Sequence, residues 1–328
     1  AAAALKSRAA MYAGSIASWG TVQLDGLVGI PADKKEHFWQ ESLNASNRLL
    51  YGSPFALYEK YPDDRSKNYR NIFLDENNCE VIFSEIYDGK SGKGHSWDMW
   101  QNPSGYNAWA GGQQNCVYLE FVESYENIDG SDPTIDREKV AQYYTWTLDE
   151  LWGKKDPRFK ASIYTQGTPW THEGASVTLD YHVGIFVDGQ WINDGFYEGV
   201  PALGVCANNW RPTPFGILKY LDESSAMIPE RYYSKTDWIV FRLGEIYLNF
   251  AEAAFELNKP DSALWAVNKI RARAGMPELQ SITREQIRHE RKIELAFEGN
   301  RYWDVRRWRT AVQDLSHAWH GMRYKLDW

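Results

Sequence analysis

The chain from Arg242 to Trp308 reads RLGEIYLNFAEAAFELNKPDSALWAVNKIRARAGMPELQSITREQIRHERKIELAFEGNRYWDVRRW, and this stretch decides the fold. Its first part repeats apolar residues at helical spacing, at Ile246, Phe250, Ala253 and Leu257. Pro260 fits the first turn of a second helix, because the N–H that proline lacks has no partner in a first turn. Gly275 followed by Pro277 is typical of a helix end. The stretch therefore predicts two antiparallel helices joined by a short turn.

A third helix is predicted from Thr283 onward, because Thr283 with Gln286 three residues later forms a capping-box pattern. This helix carries glutamates four residues apart, at Glu290, Glu294 and Glu298. Arginines flank and follow them, at Arg284, Arg288, Arg291, Arg301, Arg306, Arg307 and Arg309. Apolar residues lie between these charges, and a carboxylate near a core is stable only when it is paired, for example with the planar fork of arginine. The residue types favour a buried ion-pair network over a catalytic role for the glutamates.

Residues 1–51 predict another helical hairpin. Its first helix has an apolar stripe at Leu5, Ala9, Tyr12 and Ile16, and its second helix covers residues 33–50. The helices of the C-terminal block, residues 238–315, have a period close to that of tetratricopeptide repeats, although the repeat consensus is matched only loosely. We therefore predict a mainly α fold, a tetratricopeptide-like helical-repeat scaffold with a long loop-rich region that contains short strands.

The amino-acid composition argues against some classes of function and favours others. The chain has 328 residues and a formal net charge of −8, which argues against nucleic acid, because phosphates require a basic surface. Its three cysteines, Cys79, Cys116 and Cys206, cannot all pair and have no metal-site spacing. The 16 Trp, 20 Tyr and 13 Phe exceed what a core needs, and exposed aromatic rings are typical stacking surfaces for sugars and other flat ligands.

The C-terminal helical block resembles the SusD/RagB family. The residues that carry the resemblance are Arg242, Glu245, Tyr247, Leu248, Asn249, Ala251, Glu252, Ala253, Asn268, Ile270, Arg271, Arg273, Ala274, Gly275, Pro277, Glu290, Arg291, Ile293, Glu294, Leu295, Phe297, Glu298, Gly299, Arg301, Asp304, Arg306, Arg307 and Trp308. Members of this family are nutrient-binding lipoproteins on the outer face of the Gram-negative outer membrane, where they cap a TonB-dependent transporter. The resemblance implies one SusD-like unit over residues 1–328, binding without catalysis, and a structural role for the charged helix.

The irregular region, residues 88–236, is the predicted ligand-binding part. Its segment from Gly92 to Gln114 interleaves aromatic rings with side-chain amides. A sugar needs both, because its C–H face is apolar while its rim carries donors and acceptors. The candidate ligand-binding residues of this segment are Trp97, Trp100, Asn102, Tyr106 and Trp109. The structural alternative is that these aromatics only hold a long loop against the scaffold.

Later loops add further candidates. Asp188-Gly189 between two apolar runs is a two-residue hairpin signal, and residues 140–152 predict a helix. In the family, loops after a phrase similar to Asp156-Pro157-Arg158 also contribute to the glycan site. The residues added on this basis, or as neighbouring aromatic and charged groups, are Trp170, Tyr181, Trp191 and Arg211.

The resemblance also implies partners and location. It implies a glycan ligand, a SusC-like TonB-dependent transporter, a surface-exposed place at the outer membrane, and membrane attachment only through a lipid anchor that this chain does not carry. We therefore expect the sequence to be a fragment without the N-terminal part and the C-terminal tail of the family. No cofactor, metal ligand or catalytic residue is assigned, and scattered Asp and Asn leave open whether a structural Ca²⁺ orders a loop.

Two alternative functions remain at this point. RagB-like members bind peptides, and a charge of −8 suits cationic ones. An aromatic-rich helical protein also fits a helical-toroid glycoside hydrolase, since two catalytic carboxylates need not be close in sequence. His317 and His320 form a lone His-x-x-His, which is too little for a zinc site. The amides and tryptophans of the segment from Gly92 to Gln114 favour a glycan over a peptide.

Overall fold

The computed structural model describes residues 1–89, 92–106, 112–207, 211, 213–223 and 232–328. The chain divides into two compact units, each made of two separate segments. Unit 1 consists of Ala1–Glu85 and Trp238–Ala318. Unit 2 consists of Ile86–Asp237 and Trp319–Trp328.

The helices of the described residues are, in chain order, α1 (Ala2–Trp19), α2 (Lys35–Gly52), α3 (Arg65–Asn71), α4 (Trp97–Gln101), α5 (Leu119–Glu123), α6 (Arg137–Ala141), α7 (Leu148–Trp152), α8 (Pro157–Ser162), α9 (Leu243–Glu256), α10 (Pro260–Ala274), α11 (Arg284–Glu294), α12 (Arg301–Arg307) and α13 (Ala311–Leu315). The strands are β1 (Val81–Glu85), β2 (Ile163–Tyr164), β3 (Pro169–His172), β4 (Ala175–Thr178), β5 (His182–Val187), β6 (Gln190–Ile192), β7 (Phe196–Tyr197), β8 (Val200–Pro201), β9 (Gly216–Ile217), β10 (Trp238–Arg242) and β11 (Tyr324–Asp327). The long helices belong to unit 1 and most of the short strands to unit 2, which confirms the predicted fold class.

Helices α1 and α2 pack so closely that their shared face needs small residues. A Cβ atom on Gly14 would lie 2.7 Å from Cδ2 of Trp39, and Ser7 Oγ lies 2.8 Å from Ser46 Oγ. The buried face of α1 is therefore built from Ala4, Ser7, Ala10, Met11, Gly14, Ser15 and Ala17. The predicted apolar stripe only partly meets the core: Leu5 and Ala9 are exposed, whereas Tyr12 and Ile16 are partly buried and Tyr12 packs against the core cluster.

The central helices of unit 1 begin and end where the sequence predicts. Pro260 occupies the first turn of α10, and Gly275 ends that helix in the left-handed region at φ 78°. Thr283 and Gln286 form the predicted capping box at the start of α11. The core of this unit joins α1, α2, α9, α10 and α11 through a cluster that includes Met11, Trp39, Leu43, Phe250, Val267 and Ile287.

A buried ion-pair network, also predicted, connects the helices of unit 1. Arg242 is both the last residue of β10 and the N-cap of α9, and its Nη1 donates to Glu80 Oε1 at 2.8 Å and to Glu294 Oε1 at 2.7 Å. Arg273 Nη1 donates to Glu80 Oε2 at 2.8 Å, and Glu298 accepts from Arg242 at 2.8 Å. The predicted pairing of the glutamates is confirmed, but Glu298 lies beyond the end of α11 at Glu294, and these guanidinium groups come from β10 and α10.

Unit 2 is a set of short sheets joined by long loops. Strand β5 lies between β6, to which it is antiparallel, and β11, to which it is parallel. Val187 pairs with Gln190, which confirms the predicted hairpin at Asp188-Gly189. The predicted single helix over residues 140–152 is wrong. The chain forms α6 and α7 instead, because Tyr143 adopts φ 56° and Thr147 opens a new helix with its own capping box.

Among the described helices, none combines the length and the apolar composition that crossing a membrane requires.

Candidate functional site

The segment that follows α4 is held by its own backbone and by one buried amide. Asn102 is fully buried, and its Nδ2 donates to the carbonyl of Tyr106 at 3.0 Å. Its carbonyl accepts from the N–H of Gln113 at 2.8 Å, which closes the loop between them. Asn102 Oδ1 has no hydrogen-bond partner among the described residues. Asn102 therefore shapes the loop from inside rather than from its surface.

Gln113 connects several of the predicted site residues. Its Oε1 accepts from the Tyr181 hydroxyl at 3.1 Å, and its Nε2 donates to the carbonyl of Thr213 at 3.0 Å. Next to it, Arg211 Nη2 donates to the carbonyl of Gly112 at 2.9 Å. The structure thus brings Asn102, Tyr181 and Arg211 to one place. Sequence reasoning did not single out Gln113, because a lone glutamine in a loop gives no signal of such a role.

Three predicted rings, on α4 and on the segment that follows it, are partly exposed. They can therefore contact a ligand. Trp97 and Trp100 lie on α4, and Trp97 Nε1 donates to the carbonyl of Lys219 at 3.1 Å. The ring of Tyr106 lies 4.9 Å from the ring of His172, at an angle of 56°. His172 is a further surface neighbour that was not among the predicted site residues. Trp109, also predicted, lies outside the described residues.

Trp170 and Tyr181 are interior residues. Trp170 is 2% exposed and Tyr181 4% exposed. The Trp170 ring packs edge-on against Tyr164 at 5.9 Å, and the Tyr164 hydroxyl donates to the carbonyl of Gln101 at 2.5 Å. Burial raises the pKa of Tyr181 well above its usual value, so this phenol stays neutral. Both rings belong to the interior that supports α4 and the segment after it. Neither ring presents a face to solvent in this structure.

Trp191 lies on a separate aromatic surface of unit 2. It faces Phe186 across the β5–β6 hairpin, with ring centroids 4.5 Å apart. Tyr143 stacks on Phe186 at 6.4 Å, and Lys325 Nζ lies 3.6 Å from the centre of the Trp191 ring. The turn signal at Asp188-Gly189 could have located the Phe186–Trp191 pair, because a two-residue turn fixes which residues face each other. No local sequence pattern predicts that Tyr143 lies beside Phe186.

A buried carboxylate lies beside the exposed tryptophans of α4. Asp98 is 1% exposed, and its Oδ1 accepts from the N–H of Asp222 at 3.0 Å. Burial raises the pKa of Asp98 to about 7, because removal from water disfavours the charged form. Helix α4, which carries Trp97 and Trp100, is thus anchored by the carboxyl group of Asp98, whose charge changes near neutral pH.

Described residues near this loop line a small cavity. A cavity of about 20 Å³ is lined in part by Tyr181, Cys206 and Arg211. That volume holds about one water molecule and is too small for a sugar ring. No cluster of three or more His, Cys, Asp or Glu side chains with metal-site geometry occurs in the described part of the chain.

Comparison with known proteins agrees with this architecture. A model of the SusD family matches residues 79–328. A SusD-like protein of Formosa agariphila is 41% identical over 303 residues, an alignment that covers 86% of this chain and 49% of that protein. The chain therefore spans about half the length of this curated relative.

Solved structures show the same fold. A SusD-like protein of Bacteroides fragilis superimposes with a TM-score of 0.68 at 25% identity, covering 98% of this chain and 56% of the other. A SusD-like carbohydrate-binding protein of the same species gives 0.63 at 22% identity, covering 92% of this chain and 56% of that one. A structure with a xylogluco-oligosaccharide gives 0.62 at 16% identity, covering 95% and 51%. On the family match and the 41% identity to a SusD-like protein, this chain belongs to the SusD family.

Proposed function

We propose that this protein binds an extracellular oligosaccharide or polysaccharide through the irregular region, residues 88–236, and does so without chemical turnover. The observation that carries the proposal is that the rings of Trp97 and Trp100 on α4, and of Tyr106 on the segment held by Asn102 and Gln113, are all partly exposed. Rigid aromatic planes lose little entropy when a sugar stacks on them. Trp109, which lies outside the described residues, remains a candidate from the sequence.

Polar groups beside these rings suit a sugar. Arg211 and His172 are partly exposed, and each carries N–H groups that can donate to hydroxyls. Trp191 provides a second stacking surface in the same unit, with Lys325 held over its ring. Trp170 and Tyr181 contribute to this proposal as supports of the loop rather than as contacts with the ligand.

The relatives support the ligand class. One structural relative is described as a carbohydrate-binding protein, and another was solved with a xylogluco-oligosaccharide. These two proteins share the fold of this chain at sequence identities of 22% and 16%. We further propose that the protein acts at the cell surface, as a lipid-anchored component of the outer membrane. There it delivers its glycan to a SusC-like TonB-dependent transporter, as its family membership suggests.

Isothermal titration against a panel of neutral oligosaccharides, polysaccharides and peptides tests the proposal. We expect saturable binding of at least one glycan and no release of reducing ends during long incubation. Binding to peptides alone would show a RagB-like function, and turnover of a glycan by the pure protein would show a glycoside hydrolase. Either result would replace the proposed function.

A further inference from the structure

Unit 1 has an open groove of about 540 Å³ that the proposed function does not use. The volume is in the range of small-ligand sites, which measure about 300 to 1,000 Å³. Its floor is the outer face of α1, where Leu5, Ala9, Tyr12 and Ile16 lie in a row. This is the apolar stripe predicted from the sequence; Leu5 and Ala9 are exposed, and Tyr12 and Ile16 are partly exposed.

Two indole rings lie along the groove. Trp238, the first residue of β10, is 39% exposed, and Trp303 on α12 is 55% exposed. A Cβ atom on Gly299 would lie 3.9 Å from Cζ2 of Trp238, so this ring packs against the turn that precedes α12. Both rings belong to regular elements of unit 1, which fixes their positions better than a loop would.

Polar groups with unused hydrogen-bonding capacity lie between the apolar ones. Arg8 donates from Nε and Nη2 to the two oxygens of Glu245, each at 2.6 Å, and its Nη1 has no partner among the described residues. The Tyr12 hydroxyl likewise has none in the described chain. The side chain of Asn300 makes one long contact, from Nδ2 to the carbonyl of Glu298 at 3.5 Å.

The charges of the groove are compensated. Arg8 is held by Glu245, and Glu298, which also lines the groove, accepts from Arg242 at 2.8 Å. A charged ligand therefore finds no unpaired opposite charge among these residues. A wholly apolar partner would bury the Arg8, Tyr12 and Asn300 groups without satisfying them, which costs free energy. A neutral ligand with an apolar face and several hydroxyls needs no opposite charge. Its hydroxyls also satisfy the polar groups that an apolar partner would bury.

We propose that this groove is a second carbohydrate site, which binds a neutral oligosaccharide. Trp238 and Trp303 stack on the C–H faces of sugar rings, Arg8 donates to hydroxyl oxygens, and Tyr12 and Asn300 exchange hydrogen bonds with hydroxyl groups. The inference rests on the proposed function in one respect, since it takes the same class of ligand. Its residues are all in unit 1 and share none with the site in unit 2.

Fluorine NMR of the full chain labelled with 5-fluorotryptophan reads the two sites separately. Trp238→Phe and Trp303→Phe assign the groove signals, and Trp97→Phe and Trp100→Phe assign those of unit 2. On titration with xylogluco-oligosaccharide and laminari-oligosaccharide, we expect the Trp238 and Trp303 signals to shift saturably with one of them. Shifts confined to Trp97 and Trp100 would overturn the groove proposal and leave the proposed function intact. Shifts confined to Trp238 and Trp303 would support the groove and count against the site in unit 2.

Calorimetry with matched variants gives an independent result. Trp303→Ala is expected to weaken the groove site about tenfold or more, equal to about 1.4 kcal/mol. Tyr302→Ala is the control, because Tyr302 is an equally exposed ring on the same helix that does not line the groove. Equal affinities for the two variants, with both matching the unchanged protein, would overturn the proposal. Groove signals that respond only to peptides, or an absence of shifts with every oligosaccharide, would overturn it as well.

Discussion

Glu80 and Arg242 lie 162 residues apart in the sequence, and Arg242 Nη1 donates to Glu80 Oε1 at 2.8 Å in the interior of unit 1. The other Glu80 oxygen accepts from Arg273 at 2.8 Å, so one carboxylate compensates two buried guanidinium groups. We expect Glu80→Ala to lower the free energy of unfolding by about 3 to 5 kcal/mol, because it breaks a buried charge network and removes a hydrogen-bonded carboxylate from two guanidinium groups. Urea denaturation measures this change.

An exposed pair provides the comparison. Glu59 lies 3.8 Å from Arg65, and both side chains are accessible to water. Glu59→Ala is expected to leave stability nearly unchanged, since water and salt screen such pairs. If Glu80→Ala were as mild as Glu59→Ala, the buried network would not be the connection that holds these segments together.

Removal of single rings from the α4 loop tests the proposed glycan surface. Trp100→Ala and Tyr106→Ala are each expected to weaken glycan binding by roughly 1 to 3 kcal/mol, through lost burial of apolar surface. Calorimetric titration with the glycan that binds best gives the change. Phe196→Ala removes an exposed ring from β7 and should leave affinity as it is. Unchanged affinity in both loop variants would move the site elsewhere in the molecule.

Gln113 is expected to affect binding without touching the ligand. It is fully buried, and Gln113→Ala removes its hydrogen bonds to the Tyr181 hydroxyl and to the carbonyl of Thr213. Each lost buried partner costs about 1 to 3 kcal/mol, so the variant should be less stable. Affinity should fall with it, because the bond between the Asn102 carbonyl and the Gln113 N–H, close to Trp100 and Tyr106, loses its support. A variant that is destabilised but binds normally would show that loop geometry is irrelevant to binding.

Asp98 predicts a pH dependence of stability. Its pKa is about 7 in the folded protein and near 4 in an unfolded chain, so folding favours its protonated form. The stabilisation is complete below about pH 4 and is lost as the pH rises towards about 7. Asp98→Asn cannot ionise, and it should exceed the unchanged protein in stability at pH 8 by on the order of 1 to 3 kcal/mol.

Thermal unfolding from pH 4 to pH 8 measures that difference. Asp25→Asn replaces an exposed aspartate and should reproduce the pH profile of the unchanged protein. A difference between Asp98→Asn and the unchanged protein that stays constant over this range would contradict the assignment to Asp98.

Two glycines that end helices should respond oppositely to alanine. Gly275 adopts φ 78°, and a Cβ atom there would lie 2.9 Å from Arg65 Cγ. Gly275→Ala should therefore cost about 1 kcal/mol or more in unfolding free energy. A Cβ atom on Gly52, at the end of α2, would meet nothing within 4 Å, so Gly52→Ala should be neutral or slightly stabilising. Similar effects of the two substitutions in urea denaturation would contradict this reasoning.

Local signals account for most of what could be predicted. The limits of α10 and α11 follow from Pro260, Gly275 and Thr283, each of which acts within a few residues of itself. The core face of α1 could not be predicted from its apolar stripe. The buried face is determined by how closely α2 approaches. A Cβ atom at Gly14 would lie only 2.7 Å from Trp39 Cδ2, and this close approach exists only in the folded protein.

The same distinction explains the candidate site. Its aromatic residues are visible in the sequence, but whether a ring is open or buried depends on distant contacts. Trp170 is buried against Tyr164, which in turn is bonded to the carbonyl of Gln101. The partner of Arg242 at Glu80 was missed for the same reason, since no pattern connects residues that far apart. Pairing was predictable from charge and burial, whereas the identity of each partner was not.

The division of both units into separate segments has a consequence for biosynthesis. Asn249 Nδ2 donates to Ser7 Oγ at 3.1 Å, and Arg307 Nη1 donates to Ser15 Oγ at 2.6 Å, so α1 gains these partners only after residues 249 and 307 have been synthesised. Unit 2 in turn needs β11, at residues 324–327. Neither core can close before these later segments have been synthesised. Such non-local contacts slow folding and leave apolar helices exposed to aggregation, so the nascent protein should depend on chaperones.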